Sequence, residues 1–476
     1  MSALGKSQVV GVIGAGTMGA GIAQVAAAAG HHVRLYDAVA GAAAKGREGV
    51  GAGLEQFIAR GRMSRVEADA LVGRIEVAHK LEVLADAALV IEAIVEDLDV
   101  KRKLFAQVEA IVSPDAILAT NTSSISVTAI ARECRRPERV AGAHFFNPAP
   151  VMKLVEVVSG VATSNEIAQI VFDTVIAWGK VAVHAKSTPG FIVNRVARPY
   201  YAEALRLHEE QVADPATLDA LMTEGGGFRM GPFELMDLIG NDVNYAVSLS
   251  VFNAYYQDPR FRPSIVQLEL VNSGRLGRKS GRGFYDYSGN TAKAEAATEP
   301  LPEVTTLLEG LVIGKETVID GVRIALTDGR TARDRAVAAG QPVILHDLTG
   351  PPGKRTRMGF AASGDLPASF VGRFVTTLKS HGMVTTRLPD WPGLVVMRTV
   401  AMLANEAFEA CMQGVSSEAG VDKAMRYGVN YPKGPAEWAR EIGLTHVLSV
   451  LDHLYEETRD PRYRASLALR MAANTT

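Results

Sequence analysis

Residues 8–38 of the chain read QVVGVIGAGTMGAGIAQVAAAAGHHVRLYDA, and this stretch decides the fold class. The short apolar run Val9–Ile13 is typical of a strand that is buried in a parallel sheet. An alanine-rich helix pattern and a second strand pattern follow it. Between the first strand and the helix lies a G-x-G-x-x-G motif formed by Gly14, Gly16 and Gly19. The motif alone is weak, but strand, motif, helix and strand in this order indicate a dinucleotide-binding unit.

Each glycine of the motif has a physical role in binding a dinucleotide. Gly14 permits the tight turn out of the strand, Gly16 lets a pyrophosphate approach the backbone, and Gly19 lets the helix pack closely on the strand. The helix begins after Gly16, so Thr17 and Met18 present free N–H groups to the phosphates. These five residues are predicted to bind the cofactor.

Asp37 ends the second strand pattern, about 20 residues after the motif, where an acid accepts hydrogen bonds from the adenosine ribose. A carboxylate at this place repels the 2′-phosphate of NADP, and no arginine follows it directly. The predicted cofactor is therefore NAD.

The α/β pattern continues with strand patterns in ALVIEAIVED, AILATNTSSIS and RVAGAHFFNP. Ligands in such sheets bind outside the carboxyl ends of the strands. Glu96, Asn121, Ser123 and His144 are therefore expected to gather at one edge, near the cofactor. The alternative for Asn121 to Ser124 is a helix cap, because serine and threonine are common there.

Composition excludes several classes of function. The formal net charge of −2 provides no basic field for nucleic acid. Two distant cysteines make neither a disulfide framework nor a metal site, and they suit a reducing compartment. We find no signal-peptide pattern and no apolar run of the roughly 18 residues that a membrane span needs. A cytoplasmic protein without a metal, a nucleic-acid partner or a membrane partner is expected.

With these residues in hand, the chain resembles the L-3-hydroxyacyl-CoA dehydrogenases of fatty-acid β-oxidation. The resemblance covers residues 7–287 and rests on GAGTMGAGIAQ, NTSSI, HFFNPAPVMKLVEVV, TPGFIVNR and MGPFELMDLIG. The longer build of the chain is similar to the 3-hydroxybutyryl-CoA or 3-hydroxyadipyl-CoA dehydrogenases of bacterial catabolism, including phenylacetate breakdown. The resemblance implies NAD-dependent oxidation of an L-3-hydroxyacyl-CoA to the 3-oxoacyl-CoA.

His144 and Glu156 are the predicted catalytic pair. Oxidation of a secondary alcohol removes a hydroxyl proton, and histidine accepts a proton readily near neutral pH. A buried carboxylate on the other ring nitrogen fixes the tautomer and stabilises the imidazolium. Two strands joined by the NPAP turn can bring the two side chains together. The alternatives are a satisfied core histidine and a glutamate that points to solvent from an edge strand.

The resemblance also implies roles for other residues. Ser123 is expected to bind the substrate hydroxyl or the nicotinamide, and Asn194 the substrate oxygen. Residues at family positions that contact the cofactor are Glu96, Lys101, Asn121 and Lys279. The serine and lysine with which the family often binds coenzyme A are replaced here, in GLEQFIARGRMSR, and Gly53 lies near the serine position. The predicted CoA-phosphate contacts are instead Arg60, Arg62 and Arg65, because arginine binds phosphate well.

The second half contains an internal duplication. An offset of 203 (392 − 189) aligns WPGLVVMR with TPGFIVNR and continues without a gap to Gly443. The copy places Met397 where the first repeat has Asn194, so it is expected to lack an active site. The intervening segment has three strand patterns and one helix pattern but no glycine motif. We expect the copy to pack on the first helical domain as an intrachain pseudo-dimer in a monomer, although a homodimer is not excluded.

The predicted fold class is therefore α/β plus all-α, with four segments. They are a Rossmann-like NAD-binding domain at 1–187, an all-α domain at 188–289, a degenerate α/β segment at 290–387 and a second all-α repeat at 388–476. Two other functions stay open. One is a dehydrogenase of a free hydroxy or sugar acid on the same scaffold, and the other is a catalytically idle NAD-binding protein. The arginine cluster argues against the first, and the intact residues Ser123, His144, Glu156 and Asn194 argue against the second.

Overall fold

The computed structural model describes residues 3–289, 292, 294–301, 303, 306–350 and 355–475 of the 476-residue chain. The chain forms two compact units. The first is Met1–Arg195 with Gln413–Val429, and the second is Val196–Met412 with Asn430–Thr476. By compactness the chain thus has two units. The four segments predicted from sequence patterns are a different division and stay a prediction.

The first unit has, among its described residues, one sheet of eight strands in the order β3-β2-β1-β4-β5-β6-β7-β8. The strands are β1 Val9–Ile13, β2 Val33–Tyr36, β3 Ile75–Ala78, β4 Ala87–Glu92, β5 Ile117–Thr120, β6 Val140–Phe145, β7 Leu154–Ser159 and β8 Val181–Lys186. Strands β1 to β6 are parallel, and β7 and β8 run in the opposite direction. The Rossmann-like fold predicted for this part of the chain is confirmed.

Helices cover both faces of this sheet, which is why its inner strands are apolar throughout. Val10 and Val12 of β1 are fully buried, as is Ile22 of the first helix. The helices are α1 Thr17–Ala28, α2 Ala42–Ala59, α3 Arg65–Gly73, α4 Leu98–Ile111, α5 Val127–Ala131, α6 Asn165–Ala177 and α7 Val193–Val196. Short 3-10 helices lie at Leu81–Asp86 and Pro137–Arg139.

The second unit is mainly helical. Its helices are α8 Arg198–Glu209, α9 Pro215–Ala220, α10 Pro232–Ile239, α11 Asn241–Ala254, α12 Ile265–Asn272, α13 Ala332–Ala339, α14 Ala368–Ser380, α15 Val396–Met412, α17 Pro435–Ile442, α18 Leu444–Thr458 and α19 Leu467–Asn474. Helix α16, Glu418–Gly428, comes between α15 and α17 in the sequence but belongs to the first unit. A π-helix follows α9 at Leu221–Gly225, and 3-10 helices lie at Pro259–Phe261, Arg278–Ser280 and Pro461–Tyr463.

A sheet of five described strands lies between the helical repeats in the sequence, in the order β13-β12-β11-β10-β9. The strands are β9 Thr317–Ile319, β10 Val322–Leu326, β11 Val343–His346, β12 Arg357–Ala362 and β13 Val384–Arg387. The three predicted strand patterns are present, but the first forms a hairpin of β9 and β10. Asp320 and Gly321 both have positive φ at its turn, as a tight hairpin requires. Strand β13 and helix α14 were not predicted.

The duplication begins earlier than the sequence comparison predicts. Strand β12 begins 203 residues after β7 (357 − 154), and α14 begins 203 residues after α6 (368 − 165). The pairs β6–β7 and β11–β12 are both antiparallel, with the same offset in register. The degenerate segment therefore repeats the last strands of the first sheet. Few residues are identical there, because any apolar residue of suitable size fills a sheet core.

The two helical repeats contact each other within the second unit, as predicted. Arg398 of α15 donates to the carboxylate of Glu203 of α8 at 2.9 Å, and Arg260 lies 3.2 Å from Glu406. Between the first helical repeat and the sheet of the second unit, residues 290, 291, 293 and 302 lie outside the described residues. The carbonyl of Ala297 in this stretch accepts from Arg357 at 3.0 Å, so Ala297 is tied to strand β12. Among the described residues, no helix has the length and apolar character of a bilayer span.

Candidate active site

The glycine turn after β1 has the geometry that a dinucleotide needs. Gly14 has a φ of +95°, and a Cβ atom placed on it would lie 2.4 Å from the carbonyl oxygen of Ala93. A Cβ on Gly19 would lie 1.8 Å from the carbonyl oxygen of Gly14. A Cβ on Gly16 would meet no heavy atom within 4 Å. The space beside Gly16 and the exposed Thr17 is thus open at the N-terminus of α1, which fits a pyrophosphate.

Asp37 ties this turn to the end of β2. Its Oδ2 accepts from the N–H of Ala15 at 2.7 Å, and its Oδ1 accepts from the N–H of Val39 at 2.8 Å. An ionised carboxylate has about four acceptor positions. Two remain, so this half-buried side chain fits the ribose contact predicted for it. The residues present therefore fit NAD.

Glu96 organises the NTSSI turn after β5. It accepts hydrogen bonds from Thr122 Oγ1 at 2.6 Å and from the N–H groups of Ser123 and Ser124 at 3.1 Å each. Burial raises the pKa of Glu96, but the Thr122 hydrogen bond and the charge of Lys101 outweigh it and hold the pKa below its ordinary value. The cap of the following helix is Ser126, whose Oγ accepts from Ala129, so the helix-cap alternative for the preceding residues is wrong.

Lys101 is 1% exposed and belongs to a buried charge cluster rather than to a solvated helix face. Its Nζ lies 2.6 Å from Glu92 Oε1 and 3.3 Å from Glu96 Oε2. Glu92, which sequence reasoning did not assign to the site, also accepts from Thr120 Oγ1 at 2.7 Å. Lys101 therefore fixes the position of Glu96 at the carboxyl ends of the strands.

Asn121 joins the ends of two neighbouring strands. Its Oδ1 accepts from the N–H of Phe145 at 2.8 Å, and its own N–H donates to the carbonyl of Glu92 at 2.8 Å. These bonds fix where β6 ends, and His144 lies on that strand.

His144 and Glu156 face each other on the antiparallel strands β6 and β7, as register partners. His144 Nδ1 lies 2.6 Å from Glu156 Oε2. His144 is 5% exposed and Glu156 is fully buried, so the alternative of a solvent-facing glutamate is wrong. The rings of Phe146 and Phe191 lie 4.5 and 5.8 Å from the imidazole, centroid to centroid.

The other oxygen of Glu156 anchors the N-terminus of α7. Its Oε1 accepts from the N–H groups of Ile192 and Val193 at 3.0 Å each. Asn194, on that helix, donates from Nδ2 to the carbonyl of Ser123 in a long contact of 3.5 Å. The predicted residues Ser123, His144, Glu156 and Asn194 thus lie together in the first unit.

The remaining predicted residues are one lysine and three arginines. Lys279 belongs to the second unit, where its Nζ is 2.6 Å from Asp242. Arg60 and Arg62 are exposed near the C-terminus of α2. Arg65 is also exposed, but both its terminal nitrogens donate to the carboxylate of Glu55, at 2.5 and 2.7 Å.

In the second unit, two positions correspond to His144 and Glu156, and the sequence analysis did not identify them. At the offset of 203, Asp347 corresponds to His144 (347 − 144) and Gly359 to Glu156 (359 − 156). Asp347 accepts from the N–H groups of Val395, Val396 and Met397 at 3.0, 2.8 and 2.9 Å. The copy therefore keeps a carboxylate at the helix N-terminus but has no histidine–glutamate pair at these positions. Extending the offset upstream in the sequence would have revealed this.

Comparison with known proteins matches several parts of the chain to one family. Residues 9–188 match the NAD binding domain of 3-hydroxyacyl-CoA dehydrogenase, and residues 190–287 and 393–476 match its C-terminal domain. Residues 324–392 match the reduced Rossmann-fold domain of 3-hydroxybutyryl-CoA dehydrogenase. The 3-hydroxyadipyl-CoA dehydrogenase of Escherichia coli K12 is 47% identical over 98% of this chain and 97% of its own. The chain belongs to the 3-hydroxyacyl-CoA dehydrogenase family.

Two further relatives agree with this membership. The crystal structure of 3-hydroxybutyryl-CoA dehydrogenase from Escherichia coli K12 has a TM-score of 0.94 and 46% identity, with 98% of each chain covered. A probable 3-hydroxybutyryl-CoA dehydrogenase of Bacillus subtilis is 42% identical over 59% of this chain and 98% of its own. Family membership confirms the predictions of an oxidoreductase, of an NAD cofactor and of the fold class.

Proposed function

We propose that the chain oxidises the secondary alcohol of an L-(S)-3-hydroxyacyl-CoA to the 3-oxoacyl-CoA, with His144 as general base and Glu156 as its partner. The observation that carries the proposal is the buried contact of 2.6 Å between His144 Nδ1 and Glu156 Oε2. It lies on the sheet whose glycine turn fits NAD. NAD, when bound, accepts the hydride that leaves the carbinol carbon.

The geometry of Glu156 supports a proton on Nδ1 of His144. One carboxylate oxygen is held by the two N–H groups of α7, so the other is fixed against Nδ1. Because a carboxylate only accepts, Nδ1 carries the hydrogen, and Nε2 is left as the base. When Nε2 takes the hydroxyl proton, the imidazolium is stabilised by the adjacent carboxylate. Aromatic rings around the pair lower the local dielectric and strengthen this interaction.

Ser123 and Asn194 are proposed to bind the oxygen of the substrate and to hold the reactive carbon in place. Their contact through the main-chain carbonyl of Ser123 supports a joint role, because it ties the Asn194 side chain to the turn that carries Ser123. Positioning of this kind acts by keeping the reacting atoms in a productive geometry.

The substitution His144→Ala tests the mechanism. Turnover is expected to fall by roughly 10²–10⁴-fold, since general base catalysis contributes about this much. NADH binding should be retained, because the glycine turn is formed by other residues. His32→Ala, at an exposed position of the first unit, is the control and should behave like wild type. Turnover near the wild-type level in His144→Ala would remove the histidine from the mechanism.

The substrate class is tested by initial rates with NAD and 3-hydroxyacyl-CoA thioesters from C4 upward, including 3-hydroxyadipyl-CoA. The names of the relatives support this range. Arg60 and Arg62, which are exposed near the end of α2, are proposed to bind the CoA phosphates. Arg65 is proposed to join them only when it leaves Glu55. Turnover of free hydroxy or sugar acids with none of any thioester would favour the alternative dehydrogenase.

The biological setting is proposed from the resemblance and the relatives. We propose β-oxidation-type catabolism, with phenylacetate breakdown as one setting, in the cytoplasm. We also propose a monomer, because the helical repeat that could pair with a second chain already has a partner within its own unit. Light scattering tests this state, and a stable homodimer would contradict it.

A further inference from the structure

A cluster of buried charges lies at the carboxyl end of β4 in the first unit. Glu92, the last residue of that strand, and Lys101 of α4 are each 1% exposed. Lys101 Nζ lies 2.6 Å from Glu92 Oε1 and 3.3 Å from Glu96 Oε2. The Glu96 side chain is 37% exposed, so the cluster reaches the surface through this residue. These three residues form the β4 charge cluster.

Hydrogen bonds around the β4 charge cluster favour ionised carboxylates. Besides the lysine, Glu92 accepts from the N–H of Ile94 and from Thr120 Oγ1, both at 2.7 Å. Glu96 accepts from Thr122 Oγ1 at 2.6 Å and from two N–H groups of the NTSSI turn at 3.1 Å. A carboxylate that is surrounded by donors is stabilised in its charged form.

The net charge of the β4 charge cluster is −1, because it contains one ammonium and two carboxylates (1 − 2). In the part of the chain that the structure describes, no second cation forms an ion pair with either carboxylate. Water and salt screen buried charges much less than exposed ones. The cluster therefore contributes a negative potential at this edge of the sheet.

The order of the strands places the cluster on the nicotinamide side of the cofactor site. The strands next to the glycine turn follow the order β2-β1-β4-β5-β6. The glycine turn, which fits the pyrophosphate, follows β1, and Asp37, which fits the adenosine ribose, follows β2. The fold therefore directs the nicotinamide half to the other side of β1, toward β4, β5 and His144 of β6. Glu96 follows β4 and holds the turn after β5.

The charge of the nicotinamide changes when hydride is transferred. The ring is a cation in NAD⁺ and is neutral in NADH, whereas the ribose and phosphate groups are the same in both. A fixed negative charge on the nicotinamide side therefore stabilises bound NAD⁺ relative to bound NADH. Glu156, the partner of His144, is a second buried carboxylate on this side, and it is unchanged in the variants below.

We propose that the β4 charge cluster raises the preference of the protein for NAD⁺ over NADH. This preference is the ratio of two dissociation constants, Kd for NADH divided by Kd for NAD⁺. The proposal goes beyond a cofactor contact, because it assigns to these residues the oxidation state that the site favours. It rests on NAD binding and not on the reaction proposed above. In turnover, weaker relative binding of NADH favours its release after hydride transfer.

Glu92→Gln tests the proposal. The amide has the size of the carboxylate and can still accept from Lys101, but the cluster becomes neutral. Because Glu92 is 1% exposed, the effect of its charge on the cofactor is electrostatic and not a lost contact. The ratio is expected to fall roughly tenfold, since a unit charge about 10 Å away at an effective dielectric of about 20 is worth about this much.

Two further variants complete a series of charges. Glu96→Gln also neutralises the cluster and should lower the ratio similarly, whereas Lys101→Met makes the cluster more negative and should raise it. Asp115→Asn is the control, because it removes the same charge from a distant place. Asp115 precedes β5, at the opposite edge of the sheet, and its side chain is 95% exposed. Its loss should leave the ratio unchanged, since solvent and salt screen it.

Both constants are measured on the full-length protein without substrate, at one ionic strength. Fluorescence titration gives Kd for NADH, and calorimetric titration gives Kd for NAD⁺. A role in folding alone weakens the binding of both cofactors equally, so the ratio separates it from the proposed effect. An unchanged or raised ratio in Glu92→Gln would overturn the proposal, and so would a lowered ratio in Lys101→Met.

Glu96→Gln decides by the same criterion if the two buried variants fail to fold, because its side chain is partly exposed. Any contact of Glu96 with the ribose is common to NAD⁺ and NADH and cancels in the ratio. A wild type that binds both cofactors but turns over no thioester contradicts the proposed function alone, and the titrations then still decide the role of the cluster.

Discussion

Arg398 of the second helical repeat donates through Nε to the carboxylate of Glu203 of the first repeat at 2.9 Å, and both side chains are almost completely buried. Arg398 also donates to Glu210 at 2.9 Å, and Tyr463 donates to Glu203 at 2.9 Å. This network joins the two repeats within the second unit. At the offset of 203, the pair of Arg398 and Glu210 corresponds to Arg195 and Gln413 in the first unit, which are 2.8 Å apart.

The first prediction is that Arg398→Met destabilises the protein strongly. Methionine keeps the apolar packing of the arginine stem but removes the charge from the buried Glu203. Breaking a buried ion pair on one side costs about 3–5 kcal/mol. Urea denaturation should show this loss. The control Arg373→Met removes a partly exposed pair with Asp320 and should cost about 1 kcal/mol or less. Equal losses in the two variants would mean that the buried network does not hold the repeats together.

The second prediction separates the two tasks of Glu156. Glu156→Gln removes the charge beside His144 but keeps an oxygen that can accept from the N–H groups of α7. Turnover should fall by roughly 10²-fold, with little change in the urea midpoint. Glu156→Ala should lose both turnover and stability, because it also leaves the helix N–H groups without an acceptor. Unchanged turnover in Glu156→Gln would limit Glu156 to a structural role.

The third prediction concerns the choice of cofactor. The ratio of kcat/KM for NADP to that for NAD should be low in wild type and should rise roughly tenfold or more in Asp37→Ala. Asp37→Asn should raise it as well, with less disturbance of the turn, since the amide oxygen can still accept from one backbone N–H. Asp69→Asn, at an exposed position of the same unit, is the control. If wild type uses both cofactors equally, the charge of Asp37 does not set the specificity.

The fourth prediction is a pH dependence of stability from Asp347. Burial raises the pKa of its carboxyl to about 6 from 3.8, against backbone hydrogen bonds that lower it. Between these values the folded protein binds more protons than the unfolded chain, so stability falls as pH rises. Relative to Asp347→Asn, wild type should therefore lose up to about 3 kcal/mol of unfolding free energy between pH 4 and pH 7.

Urea titrations of both proteins at the two pH values measure this difference. Asp365→Asn, at an exposed position of the same unit, should track wild type. A difference of opposite sign would mean that the N–H groups of Val395, Val396 and Met397 favour the ionised carboxylate more strongly than burial opposes it.

The sequence by itself determined the dinucleotide-binding unit and the identity of the catalytic candidates. A Rossmann turn imposes local requirements, such as the positive φ of Gly14 and the absent Cβ of Gly19, and these leave fixed residues at fixed spacing. His144 and Glu156 were predictable as a pair because the reaction needs a base with a carboxylate partner and the family resemblance places them at these two positions. The all-α repeats followed from helical periodicity and from the offset of 203.

Only the tertiary structure decided which charges are buried and with which partners they pair. Lys101 and Glu96 are close in sequence, yet Lys101 is buried because Glu92 comes from a neighbouring strand to meet it. Arg198 looks like an ordinary helix residue in the sequence, but it has no carboxylate partner among the described residues of the fold. Such pairings join distant parts of the chain. The free energy of a charge depends on its desolvation and its neighbours, and neither is encoded in local spacing.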